Sequence, residues 1–560
     1  MNYRIVLASA ALLASACGTE VPAPGPAAAA DAAVADAAGG GDGTGAEDGA
    51  AADAAVAPDT SNKNMAKVYI NDPTTDSKAT TLVPLRPPTS ADGKLTGAFA
   101  QVFNCLPEEG GEPIKRGGFA IGSLCHEVQT AVPAADGSYL QVAPPADDKE
   151  MGDPFAELMM YYHVNQIHDY FHDQFGLTDL NYPVYALVNV TISVFGGWQG
   201  FPNAAFMPKE AFAQFNLPPR EKGAIVFGQY QSTDFSYDAS VIYHEYVHAM
   251  VGTTRLLGVL IDSYGLDNLP GAMNEGFADY FSCSLRDSPV IGSYALAFAG
   301  EHAKRDLSIA RKCPDDLTTE IHADGKIIGS GLWEIRKALG RDTADGIILA
   351  ALQQFSQQTN VDAASKLILA EAKKVSAEIG AKVKTALEAH GMLQCVRAKK
   401  LEDFSVGNSV DKVPYAIESP NSMGGGPKFV DGLPGFVQFF VDVPSDAKAV
   451  QIRWKAEAQS GAFGGGGPDP SIGLAIRKGK APQINLFDGG SILADAKVKP
   501  VVDPNNKNAR VITLTGNCIN SGSKLFMMLL NSGGKGAMTE ITRKFLPSAD
   551  GQPGVVQCGP

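Results

Sequence analysis

After Leu13 the chain has no run of about twenty apolar residues, so nothing past its start is long and apolar enough to cross a bilayer as a helix. It also lacks positive charge in excess. Forty-six Lys and Arg face 61 Asp and Glu, a net charge of −15, which argues against nucleic acid or an anionic membrane surface as a partner. The glycine-rich stretch Gly461–Gly467 is followed by no Gly-Lys-Ser/Thr, so it is a flexible loop and not a phosphate loop. Between Gly18 and Asn62 there is no basic residue at all, only Ala, Gly, Asp and Pro almost throughout. Such a segment cannot bury apolar side chains and is expected to be a disordered tether, reaching roughly 35–40 Å as a flexible coil.

What precedes the tether is a targeting segment. Arg4 supplies a positive start and Ile5–Leu13 a short apolar run. Leu13-Ala14-Ser15-Ala16-Cys17 then resembles a bacterial lipoprotein signal, with cleavage before Cys17 and lipid on its thiol. An ordinary secretory signal cut near Ala16 is the other reading. The expectation is export to the bacterial cell envelope, with the only membrane attachment through that lipid, at the outer membrane, or release to the outside. With 560 residues, two or three domains are expected behind the tether.

The chemistry begins at Val241–Met250, Val-Ile-Tyr-His-Glu-Tyr-Val-His-Ala-Met. On a helix His244 and His248, at i and i+4, lie on one face and can reach one metal ion. Glu245 sits at the edge of that face, where a carboxylate can touch a water without binding the metal. Zinc suits two imidazoles, and a catalytic site needs a third protein ligand and an open position. Ala272–Ser282, Ala-Met-Asn-Glu-Gly-Phe-Ala-Asp-Tyr-Phe-Ser, supplies candidates. Glu275 can be the third ligand and Asp279 can accept the N–H of a ligating histidine. Two acids on an otherwise apolar helix are costly to bury unless something compensates their charge.

His-Glu-Tyr-Val-His-Ala-Met and Gly-Ala-Met-Asn-Glu-Gly-Phe-Ala-Asp-Tyr-Phe together resemble the zinc metallopeptidases with a glutamate third ligand, of the thermolysin type and most of all the fungalysin branch. The resemblance implies zinc on His244, His248 and Glu275, Glu245 as general base, and peptides or proteins as substrates. It further implies that His322, just ahead of the helix-forming Ile327–Leu339, assists the transition state. Tyr264 is a weaker match to an oxyanion-stabilising tyrosine, since its spacing to Glu275 differs from thermolysin's by two. Asn203 and Ala204 match an Asn-Ala strand that edges the cleft and pairs with substrate backbone, a role that free edge N–H and C=O groups suit. Calcium, which such enzymes can also carry, has no placeable site. No large N-terminal inhibitory segment of the kind found in the family is recognisable between tether and first strands.

The fold class implied is α+β: a thermolysin-like two-lobed metallopeptidase, with an N-terminal sheet lobe and a C-terminal helical lobe, followed by an all-β sandwich. The divisions are 1–17 (signal and lipidated cysteine), 18–62 (tether), 63–235 (β-rich lobe with one long helix), 236–400 (helical zinc-binding lobe) and 401–560 (β-sandwich). Short strands are expected at Lys67–Ile70 and Gly97–Phe103, and a long amphipathic helix at Pro154–Phe175 capped by Asp153 and ended by Gly176. That helix carries a second i, i+4 pair, His168 and His172, read as buried or half-buried histidines because no Asn-Glu-x-x-x-Asp helix follows them. Gly252 is a fair stop for the His-Glu-x-x-His helix, and Ala363–His390 is helix-forming. Alternating strands follow Cys395, and Asp469–Pro482 resembles a bacterial pre-peptidase C-terminal domain. With Cys17 given to lipid, export and nearness in sequence suggest Cys105–Cys125, Cys283–Cys313 and Cys518–Cys558, with Cys395 unpaired.

An active zinc endopeptidase is therefore the first expectation. A binding or adhesion protein on a catalytically dead metallopeptidase fold, and a dedicated envelope-processing peptidase, are the alternatives.

Overall fold

The computed structural model describes residues 62–558, apart from 108–112, 117–118, 147–149, 195–196, 215–219, 257, 301–302, 402–414, 421–428, 459–469, 487 and 489. The signal, Cys17, nearly all of the tether and the Gly461–Gly467 loop lie outside the described residues.

The first folded region is a mixed sheet with one long helix behind it. Strands β1 (Ala100–Leu106), β2 (Val184–Val194) and β3 (Ala224–Tyr230) run parallel side by side, and β4 (Ala204–Met207) adds antiparallel to β3. The hairpin before them pairs Met65–Val68 with Thr81–Pro84, two residues earlier than expected. Helix α1 (Pro154–Phe175) starts where Asp153 accepts from the Ala156 amide and stops at Gly176, which takes the left-handed conformation. It is not a half-exposed amphipathic helix. Phe155, Leu158, Met159, Tyr161, Val164, Ile167 and Phe171 are all buried, and so is Glu157.

The second region is helical. Helices α2 (Ala239–Arg255) and α3 (Leu269–Arg286) are joined by a small hairpin, β5 (Leu260–Asp262) and β6 (Gly265–Asp267). Helix α4 (Ile321–Leu339) crosses α3 closely, and α5 (Arg341–Leu352), α6 (Val361–Val375) and α7 (Ala377–Ala389) complete the layer. Asp238 caps α2 through the Ser240 amide. Gly252 does not end α2 but bends it, with φ 57° and ψ 171° inside the helix. The helix-forming stretch Ala363–His390 divides into α6 and α7, because Ser376 is extended and caps α7 by accepting from Ile379 N–H.

The described residues after Cys395 form two large sheets and a two-stranded one, Gln483–Asn485 with Ser491–Leu493. One large sheet orders Ala398–Lys400, Gln438–Asp442, Lys524–Asn531, Ile472–Lys478 and Ala496–Val498. The other orders Tyr415–Ile417, Gly536–Leu546, Ala449–Ala458, Asn506–Gly516 and Val501–Asp503. Alternate residues from both, including Phe439, Val441, Val450, Ile452, Trp454, Leu474, Met527 and Leu529, are buried in one cluster, as the period of two along a strand requires.

The cysteine pairing departs from expectation. Cys105–Cys125 and Cys518–Cys558 are bonded, but Cys313 pairs with Cys395, 82 residues on. Cys283 is a buried free thiol, because it faces the apolar group of Ile291, Leu307 and Trp333 from the interior of α3. Peptide mapping without reduction should find these three bridges, with Cys283 alkylated only after unfolding. Replacing both Cys313 and Cys395 by Ala should cost about 4.5 kcal/mol on the chain-entropy model for a loop of that length, read by denaturation.

Glu157 gives a pH prediction. Burial pushes its carboxyl up to about 7, against the hydrogen bonds from Thr130 and the Ala131 amide that favour the ionised form. An acid with a raised folded pKa is disfavoured by the fold when ionised, so its penalty grows as pH rises from the ordinary glutamate range to about 7. Glu157→Gln should therefore flatten the fall in melting temperature across that window. An unchanged profile would show that Glu157 is not the group responsible.

Candidate metal centre

The site forms where α2, α3 and α4 meet. The i, i+4 spacing on α2 points His244 and His248 the same way, and their Nε2 atoms lie 2.9 Å apart. Glu275 Oε2, from α3, is 3.2 Å from His244 Nε2 and 3.6 Å from His248 Nε2. His322, at the opening turn of α4, brings its Nε2 to 3.4 Å from the same oxygen. Glycine makes this convergence possible. A Cβ on Gly276 would sit 2.7 Å from the Gly325 carbonyl, and one on Gly325 would sit 2.9 Å from the Glu275 Cβ. Any larger residue would push α4, and His322 with it, away from Glu275.

Each ring is oriented from behind. His244 Nδ1 faces Asp279 Oδ1 at 2.8 Å, His248 Nδ1 faces Asn274 Oδ1 at 3.1 Å, and His322 Nδ1 faces Glu320 Oε1 at 2.7 Å. An oxygen acceptor on Nδ1 fixes the proton there and leaves Nε2 as the free donor atom. Asp279 is itself gripped by Arg305, whose Nε and Nη2 donate at 2.8 Å each. Glu245 lies beside the cluster, and its Oε2 accepts from the Phe206 amide of β4 at 2.7 Å.

Burial opposes charge on the three imidazoles, Glu275 and Asp279, yet those two carboxylates stay ionised. Burial alone would raise Glu275, but His322 and His248 outweigh it and hold its carboxyl well below the usual range. Burial would likewise raise Asp279, and Arg305 and His244 lower it. In return, His248 is pushed up to about 9, its burial overridden by Glu275 and Glu245. The carboxylates therefore favour positive charge among the rings.

The donor set fits zinc. His244, His248 and Glu275 offer ligand atoms all within 4.8 Å of one another, and no other such group occurs among the described residues. Glu245 Oε1, Glu275 Oε2 and His322 Nε2 are buried with no hydrogen-bond partner. Unsatisfied buried polar atoms cost about 1–3 kcal/mol each, so their clustering in one place asks for a cation and a polar ligand. Two imidazoles and a carboxylate are a zinc set. Calcium gains no site from the described residues.

The remaining candidates lie as follows. Ala204 opens β4, which pairs with β3 along one edge only among the described residues, and Asn203 is buried with its carbonyl accepting from Gly228 N–H. Tyr264 is at the turn of the β5–β6 hairpin, half-buried, its carbonyl accepting from Gln438. His168 is spoken for: Nδ1 meets Asp169, Nε2 meets Asn181 Oδ1 at 2.9 Å, and the ring stacks on Phe99. Sequence reasoning missed Asn274, Glu320, Arg305 and the Phe206 amide. Asn274 precedes Glu275 directly and Glu320 precedes His322 by two, so both stood inside motifs already in view. Arg305 had no such signal.

Residues 137–342 match the model of the fungalysin metallopeptidase family (M36), a span short of half the chain that includes every group named in this cluster. That match makes the chain a zinc metalloprotease. No curated protein matches the chain.

Arg305 yields a prediction. Arg305→Met leaves Asp279 buried with His244 but without its guanidinium partner, and breaking a buried ion pair in this way costs roughly 3–5 kcal/mol. Arg305→Lys should recover only part, since an ammonium cannot reproduce the two-pronged contact. Urea denaturation of the three proteins decides it, and equal midpoints would refute it.

Proposed function

We propose that the chain is an endopeptidase that cuts peptide bonds within protein or peptide substrates, with His244, His248 and Glu275 holding the zinc ion. The observation that carries this reading is the convergence of three imidazole Nε2 atoms on Glu275 Oε2, with the Glu245 carboxylate beside them. When bound, zinc supplies a Lewis acid that polarises the scissile carbonyl and lowers the pKa of water.

The chain's own groups do the rest. Glu245 is held through Oε2 by the Phe206 amide, which leaves Oε1 to take a proton from the attacking water. Glu245 then passes that proton to the leaving amine. Burial disfavours charge on His322, but the Glu275 and Glu320 carboxylates beside it override that and favour the imidazolium, so Nε2, oriented through Nδ1 by Glu320, carries a proton it can donate to the developing oxyanion. Tyr264 is a second donor to test. Asn203 and the free edge of β4 would align an extended substrate backbone beside Glu245.

We further propose that the enzyme is exported and lipid-anchored through Cys17, on the strength of Arg4, the short apolar run and Leu13–Cys17. No helix among the described residues is long and apolar enough to cross a membrane. Cys17→Ser should release the protein from washed membranes.

Zinc content and cleavage of a proteome-derived peptide library, measured side by side on variants, test the assignment. Glu245→Ala should keep near-stoichiometric zinc and lose turnover by ~10²–10⁴-fold or more. His322→Ala should keep zinc and retain weak activity, down on the order of 10²–10³-fold. Glu275→Ala should lose zinc affinity, and Asp279→Ala should lower it ~10–100-fold. Full cleavage by Glu245→Ala would end the reading. A zinc-loaded wild type that cuts nothing would favour the binding-protein alternative.

A further inference from the structure

The chain runs from the helix of His244, Glu245 and His248 to the helix of Glu275 through the hairpin β5–β6, and the β-sandwich grips that hairpin from outside. Arg397 is the centre of that grip. Its side chain is buried, and Nη1 donates to the carbonyls of Leu266 in the hairpin and Phe436 in the sandwich, the latter at 2.8 Å. Its Nη2 donates to Asp262, and its Nε lies 3.5 Å from Asp267. Asp267 in turn accepts from the Leu269 amide, the first residue of α3.

Other sandwich groups converge on the same place. Gln438, a buried polar residue, donates from Nε2 to the carbonyls of Tyr264 and Pro482 at 2.9 and 3.0 Å. The Ile484 amide donates to the Ser263 carbonyl at 2.9 Å. Gly265 has φ 134°, and a Cβ there would meet the Gly435 carbonyl at 2.6 Å, so the two backbones touch. Leu266, Leu433 and Phe436 share an apolar cluster. A further bond reaches the approach to α4: the Ala416 amide donates to Thr319 Oγ1 at 2.7 Å, and Asn268 donates to the Thr319 carbonyl. The sandwich thus holds the point where α3 and α4 both begin.

We infer that Arg397 is a positioning residue for the metal centre: by fastening the hairpin to the β-sandwich it fixes the start of α3 and, through that rigid helix, the carboxylate of Glu275. This rests on the proposed ligand set. Glu275 lies six residues beyond Leu269, roughly 9 Å along the helix at 1.5 Å per residue, so a loosened first turn is felt at the ligand. Misplacement of catalytic groups by about 1 Å can cost on the order of 10²-fold in rate. The Cys313–Cys395 bridge, ending two residues before Arg397, anchors the clamp covalently to the helical region.

The test uses the full chain and three variants, with a fourth in reserve. Arg397→Met should release zinc into excess chelator on the order of 10-fold faster than wild type, as for other partners that orient ligands. It should also lower kcat on an internally quenched peptide that wild type cuts, with KM little changed. Arg397→Lys should lie between. Hydrogen exchange over residues 260–272 should quicken in Arg397→Met, a readout independent of catalysis. Trp454→Phe, in the sandwich core, controls for general loss of stability and should release zinc at the wild-type rate. If Arg397→Met fails to fold, Gln438→Leu, which removes the Tyr264 and Pro482 bonds alone, should show the same changes at smaller size. Wild-type zinc release and exchange in whichever of these folds would overturn the inference, as would equally fast release from Trp454→Phe. A wild type that takes up no zinc and cuts nothing would instead sink the peptidase reading itself.

Discussion

The carboxylate of Glu275, buried among three imidazoles, is the contact on which the rest of the structure depends. A lone buried carboxylate would take up a proton. Here His244, His248 and His322 surround it, and it stays ionised well below the usual range. Meeting those rings requires three helices to arrive together, which accounts for several otherwise separate features. Asp238 and Glu320 cap α2 and α4 at their N-termini, so that the histidines start from fixed turns. Gly276 and Gly325 let α3 and α4 approach more closely than any side chain would allow. The hairpin between α2 and α3 is pinned from outside rather than left to wander.

Local chemistry was legible in the sequence, and distant contact was not. The i, i+4 spacing of His244 and His248, and of Glu275 and Asp279, is a property of helices and can be read from the letters. So can the caps at Asp153 and Asp238. The cysteines show where such reading ends. Cys283 and Cys313 are near in sequence, but an α-helix points Cys283 into an apolar cluster, while the chain returns after 82 residues to bring Cys395 to Cys313. Arg305 is a similar case. Its contact with Asp279 spans 26 residues and a change of element, with no spacing rule to announce it. Gly252 misled for another reason: a glycine that allows a helix to stop also allows it to bend and continue.

The β-sandwich changes meaning once its contacts are counted as chemistry. From sequence it looked like a separable module following the catalytic part. Yet Arg397 and Gln438 are buried polar residues whose partners include the Leu266 and Tyr264 carbonyls of the metallopeptidase region, and leaving either side unpaired would cost more than the bond itself supplies. A module that only fetched substrate would have no need to bury an arginine against the connection between two ligand helices. The interface therefore ties the sandwich to the shape of the metal site as well as to the surface around it.

Charge balance explains why Asp279 does not act alone. Glu275 and Asp279 place two negative charges in one buried space. Arg305 supplies a positive charge there, bonded to Asp279 through two nitrogens. Without it, burial would push the Asp279 carboxyl up toward the protonated form. A protonated Asp279 could donate to His244 Nδ1 instead of accepting from it, and would then turn the ring proton toward Nε2, the atom the metal needs free. Arg305 thus protects the tautomer of His244, whose Nδ1 it approaches to 3.4 Å. The zinc motif is short in sequence because helices supply its spacing, but its charge is complete only with a residue that lies outside it.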